Sequence, residues 1–323
     1  MALSPFNCRS LYSCAAFAAF CIAISGGPAG AKATYTTFND GTVTGINASD
    51  TVTGLAGTSS FIRTVDGNVT TFAVPGAANT DAIGINDEGT VGGLYCDNAG
   101  SHGFLRTADG AFTTFDVPGA SLVEPRSINS KDEITGDYKD ATDHFHAFVR
   151  TGSGVKTFDA PGASYTYGVS VNDKGVIAGW YITDGIGSHS FLRAANGTIT
   201  TIDVPGAEST MAAGINIKGS VTGAYNTDSS GALGFVRASD GTITTFNETQ
   251  CGLLQPVGIN RAGVVAGYCS ERKGHYSGFI FRPSGKSLKF QVPNGGTRTL
   301  PVAINDAGVI TGNYNFGGFL RFP

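Results

Sequence analysis

The stretch Asp143-His144-Phe145-His146 holds the side chains best suited to chemistry in this chain. On a strand, residues i and i+2 share a face, so the two imidazoles would point the same way, with Asp140 close by. Two histidines and a carboxylate are the beginning of a divalent-metal site, which needs three or four ligands in a fitting geometry. His146, however, has counterparts. His102, His146 and His189 each stand two residues before a phenylalanine, and Ser59, Leu233, Ser277 and Gly317 fill the same slot elsewhere. Equivalent positions of successive repeats lie far apart, so these three histidines cannot share one ion and are expected to pack or hydrogen-bond locally. His144 is peculiar to its unit, and with Asp140 and Asp143 it lacks a third partner. No metal and no cofactor are expected. The sequence contains no G-x-S-x-G, no H-E-x-x-H and no C-x-x-C. Its acids read as scattered rather than paired, whereas carboxylate catalysis needs two positioned groups. No catalytic residue is assigned.

The elements that position these residues come from a repeat. An Ile-Asn or Val-Asn pair recurs at 46–47, 85–86, 128–129, 171–172, 215–216, 259–260 and 304–305. An F-[LIV]-R strand begins at Phe61, Phe104, Phe148, Phe191, Phe235, Phe279 and Phe319, and a T-T-F-like strand ends at Phe38, Phe72, Phe115, Phe158, Ile202, Phe246 and Phe290. Three markers in constant phase make the period a property of the chain. Each unit of about 43 residues carries four short β-patterns joined by Asn/Asp/Gly turns, which is the signature of a propeller blade. The fold class predicted is all-β: a seven-bladed β-propeller with four antiparallel strands per blade. The last unit lacks its T-T-F strand while 34–38 (TYTTF) is a spare one. Residues 34–38 are therefore expected to pair beside 318–322 and complete the last blade, removing exposed sheet edges.

Composition agrees with this reading. Glycine is abundant at 47 residues and only 14% of residues are charged, which suits tight turns and buried strands better than surface helices. Residues 1–33 read as a secretory signal peptide: Arg9, an apolar run over 11–25, then small residues that permit cleavage after Ala31 or Ala33. The run is too short to span a bilayer, and no later stretch qualifies, so no membrane span is expected after cleavage. Without 1–33 the chain has 19 basic against 25 acidic side chains, a net charge of −6. An acidic domain without basic runs is a poor partner for nucleic acid. The expected product is 34–323 as a single propeller domain, monomeric and secreted, extracellular or periplasmic.

The seven asparagines open turns and can bond their own backbone there, a structural role. The V-P-G-A segments at 74–77, 117–120 and 204–207, with A-P-G-A at 160–163, look equally structural. Variation concentrates in the connections between second and third strands, 96–102, 139–146, 182–189, 226–233 and 269–277, where binding usually resides on a rigid scaffold. Aromatics and acids flank them. Trp180, Tyr181, Asp184, Tyr138, Asp140, His144 and Tyr268 are the candidate ligand-binding residues, with Trp180, the one tryptophan of the chain, foremost. The competing reading is that the tyrosines pack between blades. Of the cysteines beyond residue 33, Cys251 and Cys269 are the disulfide candidates, because pairing 255–260 with 264–269 brings residue 269 beside 254. Cys96 is expected to be left over.

The unit G-I-N-x-x-G-x-V-x-G-x-Y … H-[GAS]-F-[LV]-R … T-T-F-D-V-P-G-A resembles the bacterial HAF extracellular repeat family, over essentially all of 34–323. The resemblance implies an exported propeller and names no activity. In layout the repeats are also similar to virginiamycin B lyase propellers, but that group's Trp-rich motif and catalytic His/Glu pairing find no match here, and no sialidase-type Asp box is present. The expected function is non-catalytic binding, with a carbohydrate or protein ligand on the variable-loop face. The alternatives are a secreted lyase or hydrolase, or a purely structural surface protein.

Overall fold

The computed structural model describes residues 33–183, 187–227, 231–248, 251–272 and 274–323. These form seven four-stranded antiparallel sheets, the blades of a propeller. Blades 1 to 6 cover 42–72, 79–115, 122–158, 165–201, 209–246 and 253–290, each with its strands in sequence order from the inner strand outward. Blade 7 takes its inner three strands from 299–322 and its outermost from Thr34–Phe38, paired from Thr34 opposite Phe322 to Phe38 opposite Gly318. The closure expected at 34–38 is the one observed. Among the described residues no helix is long and apolar enough to cross a membrane.

The marker residues explain why each blade forms. Phe61, Phe104, Phe148, Phe191, Phe235, Phe279 and Phe319 on the third strands are all essentially inaccessible to solvent. The second strand passes over each with a glycine. A Cβ on Gly93, Gly179 or Gly223 would stand within 2.7 Å of that phenylalanine ring and about 2.2 Å from an inner-strand carbonyl, so only a residue without a side chain fits. Every inner strand carries a β-bulge at the same place, between residues such as Pro125 and Ser127 or Gly168 and Ser170. A bulge leaves one residue unpaired and re-aims its side chain. Seven hydrophobic clusters fill the molecule, one at each junction between neighbouring blades.

The V-P-G-A segments are tight turns with Gly76, Gly119, Gly162 and Gly206 at positive φ, the conformation a type II turn demands at its third position. The buried Val74 amide then donates to Thr80 Oγ1 at 2.9 Å, tying the crossing to the next inner strand. Cys251 and Cys269 form a disulfide with Cα atoms 5.5 Å apart, on the hairpin register that sets Leu254 opposite Cys269. Cys96 is buried at the end of its strand and is not left without a partner. The expected loop over 269–277 is also corrected: strands Val265–Arg272 and His275–Phe281 pair across most of it.

Candidate functional site

The asparagines do more than open turns. Asn216 Oδ1 accepts the amides of Lys218 and Ser220, as a turn-opening residue should. Its Nδ2 donates to the carbonyl of Asn260 in the next blade at 2.9 Å. The same bond runs from Asn47 to Asn86, Asn129, Asn172, Asn216, Asn260, Asn305 and back to Asn47, at 2.9–3.2 Å. All seven carbonyls also accept an amide from their own turn. Both lone pairs of each carbonyl are therefore occupied, and the ring is a structural hoop rather than an ion site. It floors an axial depression of about 220 Å³ bounded by the Ile-Asn pairs of six blades and Val171-Asn172 of blade 4.

The histidine slot is equally clear. His102 stacks on Tyr95 and His146 on Tyr138, with ring centroids 5.0 and 5.2 Å apart, and His189 lies 5.2 Å from Tyr181. Each Nδ1 bonds the Asp that follows the T-T-F-like strand: His102 to Asp116 at 2.5 Å, His146 to Asp159 at 2.9 Å and His189 to Asp203 at 2.9 Å. In blades 2 and 3 the Nε2 also reaches a loop acid, Asp97 at 3.2 Å and Asp140 at 3.3 Å. Partial burial alone would lower His102 and His146, but the facing carboxylates outweigh it and both pKa values are raised. Among the described residues no three His, Cys, Asp or Glu side chains are gathered to hold a metal ion.

The expected ligand residues separate into two groups. Tyr138 belongs to the histidine module, its hydroxyl bonded to Thr157. Tyr181 is buried with its hydroxyl 3.0 Å from Thr201 Oγ1, so its ring packs within the blade. The tyrosine packing is thus mainly onto a histidine of the same blade. Asp140 caps its loop by accepting the amides of Thr142 and His144, and the His144 amide leads the contacts that hold this carboxylate well below its usual range. Asp143 pairs with Lys139 instead of joining a cation site. Tyr268 meets Tyr276 edge-on at 6.2 Å in blade 6, away from the rest. Asp184 lies outside the described residues.

Trp180 and His144 remain, and around them stand residues that the repeat pattern concealed. Trp180 is stacked on Tyr167 at 4.0 Å, and Tyr167 on Phe145 at 5.4 Å, making a three-ring column across blades 3 and 4; His144 stacks on Tyr165 beside it. At the same level of blade 3, Glu124 and Asp137 are cross-strand partners on the first and second strands. Arg126 occupies the bulge of that inner strand. Its Nε and Nη2 bond Asp137, and Nη2 also bonds Glu124 at 3.0 Å. The Arg126 side chain is 40% exposed, Glu124 29%, and Asp137 not at all. Burial pushes Asp137 up to about 7 against the pull of Arg126, and the neighbouring Glu124 adds to the rise. The acids of this chain are thus paired in one blade, contrary to the scattered distribution the sequence suggested. The signal was present: blade 3 is the one unit with an acid both directly after the second-strand glycine (Gly136-Asp137) and at the facing position of the inner strand.

No family model matches the chain, and no curated protein matches it. Solved structures do. A streptogramin B lyase structure superposes with a TM-score of 0.62 at 14% identity, covering 90% of this chain and 97% of that one. Oligogalacturonate lyase in complex with manganese gives 0.66 at 10% identity, covering 94% and 96%. The β-propeller domain of the Trilobed protease from Pyrococcus furiosus, described as an open velcro topology, gives 0.59 at 10%, covering 90% and 92%. At such identities the likeness is one of fold, and a propeller hosts many functions.

Proposed function

We propose that this chain is an exported, non-catalytic binding propeller whose ligand is a carbohydrate seated at the inner strands of blades 3 and 4, toward the variable-loop face. The observation that carries this reading is the Phe145–Tyr167–Trp180 column standing beside Glu124, Arg126 and Asp137. A sugar presents an apolar C–H face and a rim of hydroxyls. Aromatic rings flanked by carboxylate acceptors and guanidinium donors complement both. Membership of the HAF repeat family and cleavage of residues 1–33 belong to the same proposal; the disulfide Cys251–Cys269, at home in an oxidising compartment, supports export.

The enzyme alternative draws on the Glu124–Asp137 pair, since split carboxyl environments often mark acid and base roles. Yet the Asp137 side chain is wholly buried behind Arg126 and cannot touch a substrate. Binding is therefore the better reading. A glycan array followed by thermal shift tests it: a glycan hit should raise the melting temperature of the wild type, and Trp180→Ala should abolish that shift while leaving the unliganded fold intact. Silence across the array, or a hit indifferent to Trp180, would overturn the assignment.

A further inference from the structure

Arg126 offers more to a ligand than a generic donor. Its Nε and Nη2 are committed to Asp137 and Glu124, but Nη1 makes no hydrogen bond among the described residues. The bulge in the inner strand brings this residue out of the ladder, and the guanidinium remains 40% exposed beside Tyr167. Nη1 and its two N–H groups are left to donate to a ligand oxygen, and a carboxylate oxygen accepts from a guanidinium more strongly than a neutral one does. Directly alongside stands the aromatic column on which a sugar ring can rest.

Building on the carbohydrate reading, we propose that Arg126 Nη1 donates to the carboxylate of a uronic-acid-type sugar residue stacked against the Phe145–Tyr167–Trp180 column. Proton uptake accompanies binding. The charged or titratable groups facing Asp137 are Glu124 and Arg126 from the inner strand of its own blade and Tyr167 from that of blade 4. With Asp137 protonated, Glu124 and Arg126 balance and an incoming anion meets no net charge. With Asp137 ionised the cluster carries a net negative charge that repels it. Asp137 titrates near 7, so the balance changes within an ordinary pH range. By linkage, the bound carboxylate raises Asp137 further, and a rise of about one unit makes binding about tenfold tighter at pH 5 than at pH 9. A sugar carboxylate is itself ionised across that range. Asp137 acts here as a positioning residue, since it reaches the ligand only through Arg126.

Isothermal titration with trigalacturonic acid and with its fully methyl-esterified, neutral counterpart, at pH 5, 7 and 9, tests the proposal on the purified protein. The acidic trimer is expected to bind about tenfold tighter at pH 5 than at pH 9, and the neutral trimer to bind more weakly with no pH dependence. Arg126→Gln should remove the preference for the acid. Asp137→Asn, neutral at every pH, should keep acid binding at its low-pH strength throughout. Equal affinity for the two trimers, or acid binding that is flat with pH in the wild type, overturns this inference. If neutral glycans still bind through Trp180, the carbohydrate reading survives that failure. If no glycan binds at all, both fall.

Discussion

Replacing Asn216 probes how much the hoop of asparagines contributes to cohesion between blades. Asn216 is 5% exposed and makes three hydrogen bonds with its side chain: two accepted from the amides of Lys218 and Ser220 at 3.0 Å, and one donated to the Asn260 carbonyl at 2.9 Å. At about 0.5–1.5 kcal/mol net for each, Asn216→Ala should cost about 3 kcal/mol. Asn216→Asp separates the two functions. It keeps the acceptor for the turn but sets a carboxylate against the Asn260 carbonyl, where no donor remains. Such a group has its folded pKa raised above the unfolded value near 4. Its cost relative to wild type is then smallest below about pH 4, where a protonated carboxyl can donate to Asn260, and grows as pH rises through the raised pKa. Chemical denaturation of both variants at pH 3.5 and pH 7 measures this. If Asn216→Ala loses under about 0.5 kcal/mol and Asn216→Asp shows no pH-dependent deficit, the hoop holds nothing together and the reasoning fails.

Two further outcomes follow from the packing and from the histidine slot. Gly234→Ala would place a Cβ 2.3 Å from the ring of Phe246, which is stacked on Phe281 at 4.1 Å and has little room to retreat; a loss of about 1–3 kcal/mol in urea unfolding is expected, and a neutral result would mean the blade yields there. His102 and His146 have raised pKa values in the fold, so the stability they confer is fully present below about pH 6.5 and lost as pH climbs through those raised values. Wild-type melting temperature should therefore decline over that interval more steeply than that of His102→Gln/His146→Gln, and parallel curves would refute the carboxylate pairing.

Much of the architecture was readable because each blade solves the same problem with the same residues. Phe104 needs Gly93 above it, the turn after Asn86 needs Gly89 at positive φ, and a pattern repeated seven times announces itself. The local half of the asparagine role was readable too, but its Nδ2 bond to the next blade exists only once neighbouring blades have packed side by side. The candidate site was hidden by the same regularity. Glu124 and Asp137 are thirteen residues apart, and they meet only through a register that the bulge at Arg126 sets. Trp180 was singled out by its rarity, whereas Tyr167 and Phe145, which complete its column, look like ordinary strand residues in the sequence. Tyr181 was chosen as an aromatic at a loop entry, yet on a strand neighbours face opposite ways, and beside Trp180 it turned into the blade.

The seam in blade 7 has a consequence for engineering. Thr34 sits opposite Phe322, so the two ends of the domain leave from one spot on the rim. In a protein begun at Thr34, a short linker joining these ends would close the propeller into a covalent circle without moving a strand. New termini could then be opened at the Thr-x-Asp-Gly turn of another blade, such as Thr107–Gly110, whose amide-to-carbonyl bond closes at 2.9 Å. A circular permutant made in this way would carry its seam in blade 2 and leave the face built by blades 3 and 4 untouched. The same adjacency lets the propeller be spliced as a cassette into a surface loop of a host protein, held by two neighbouring tethers.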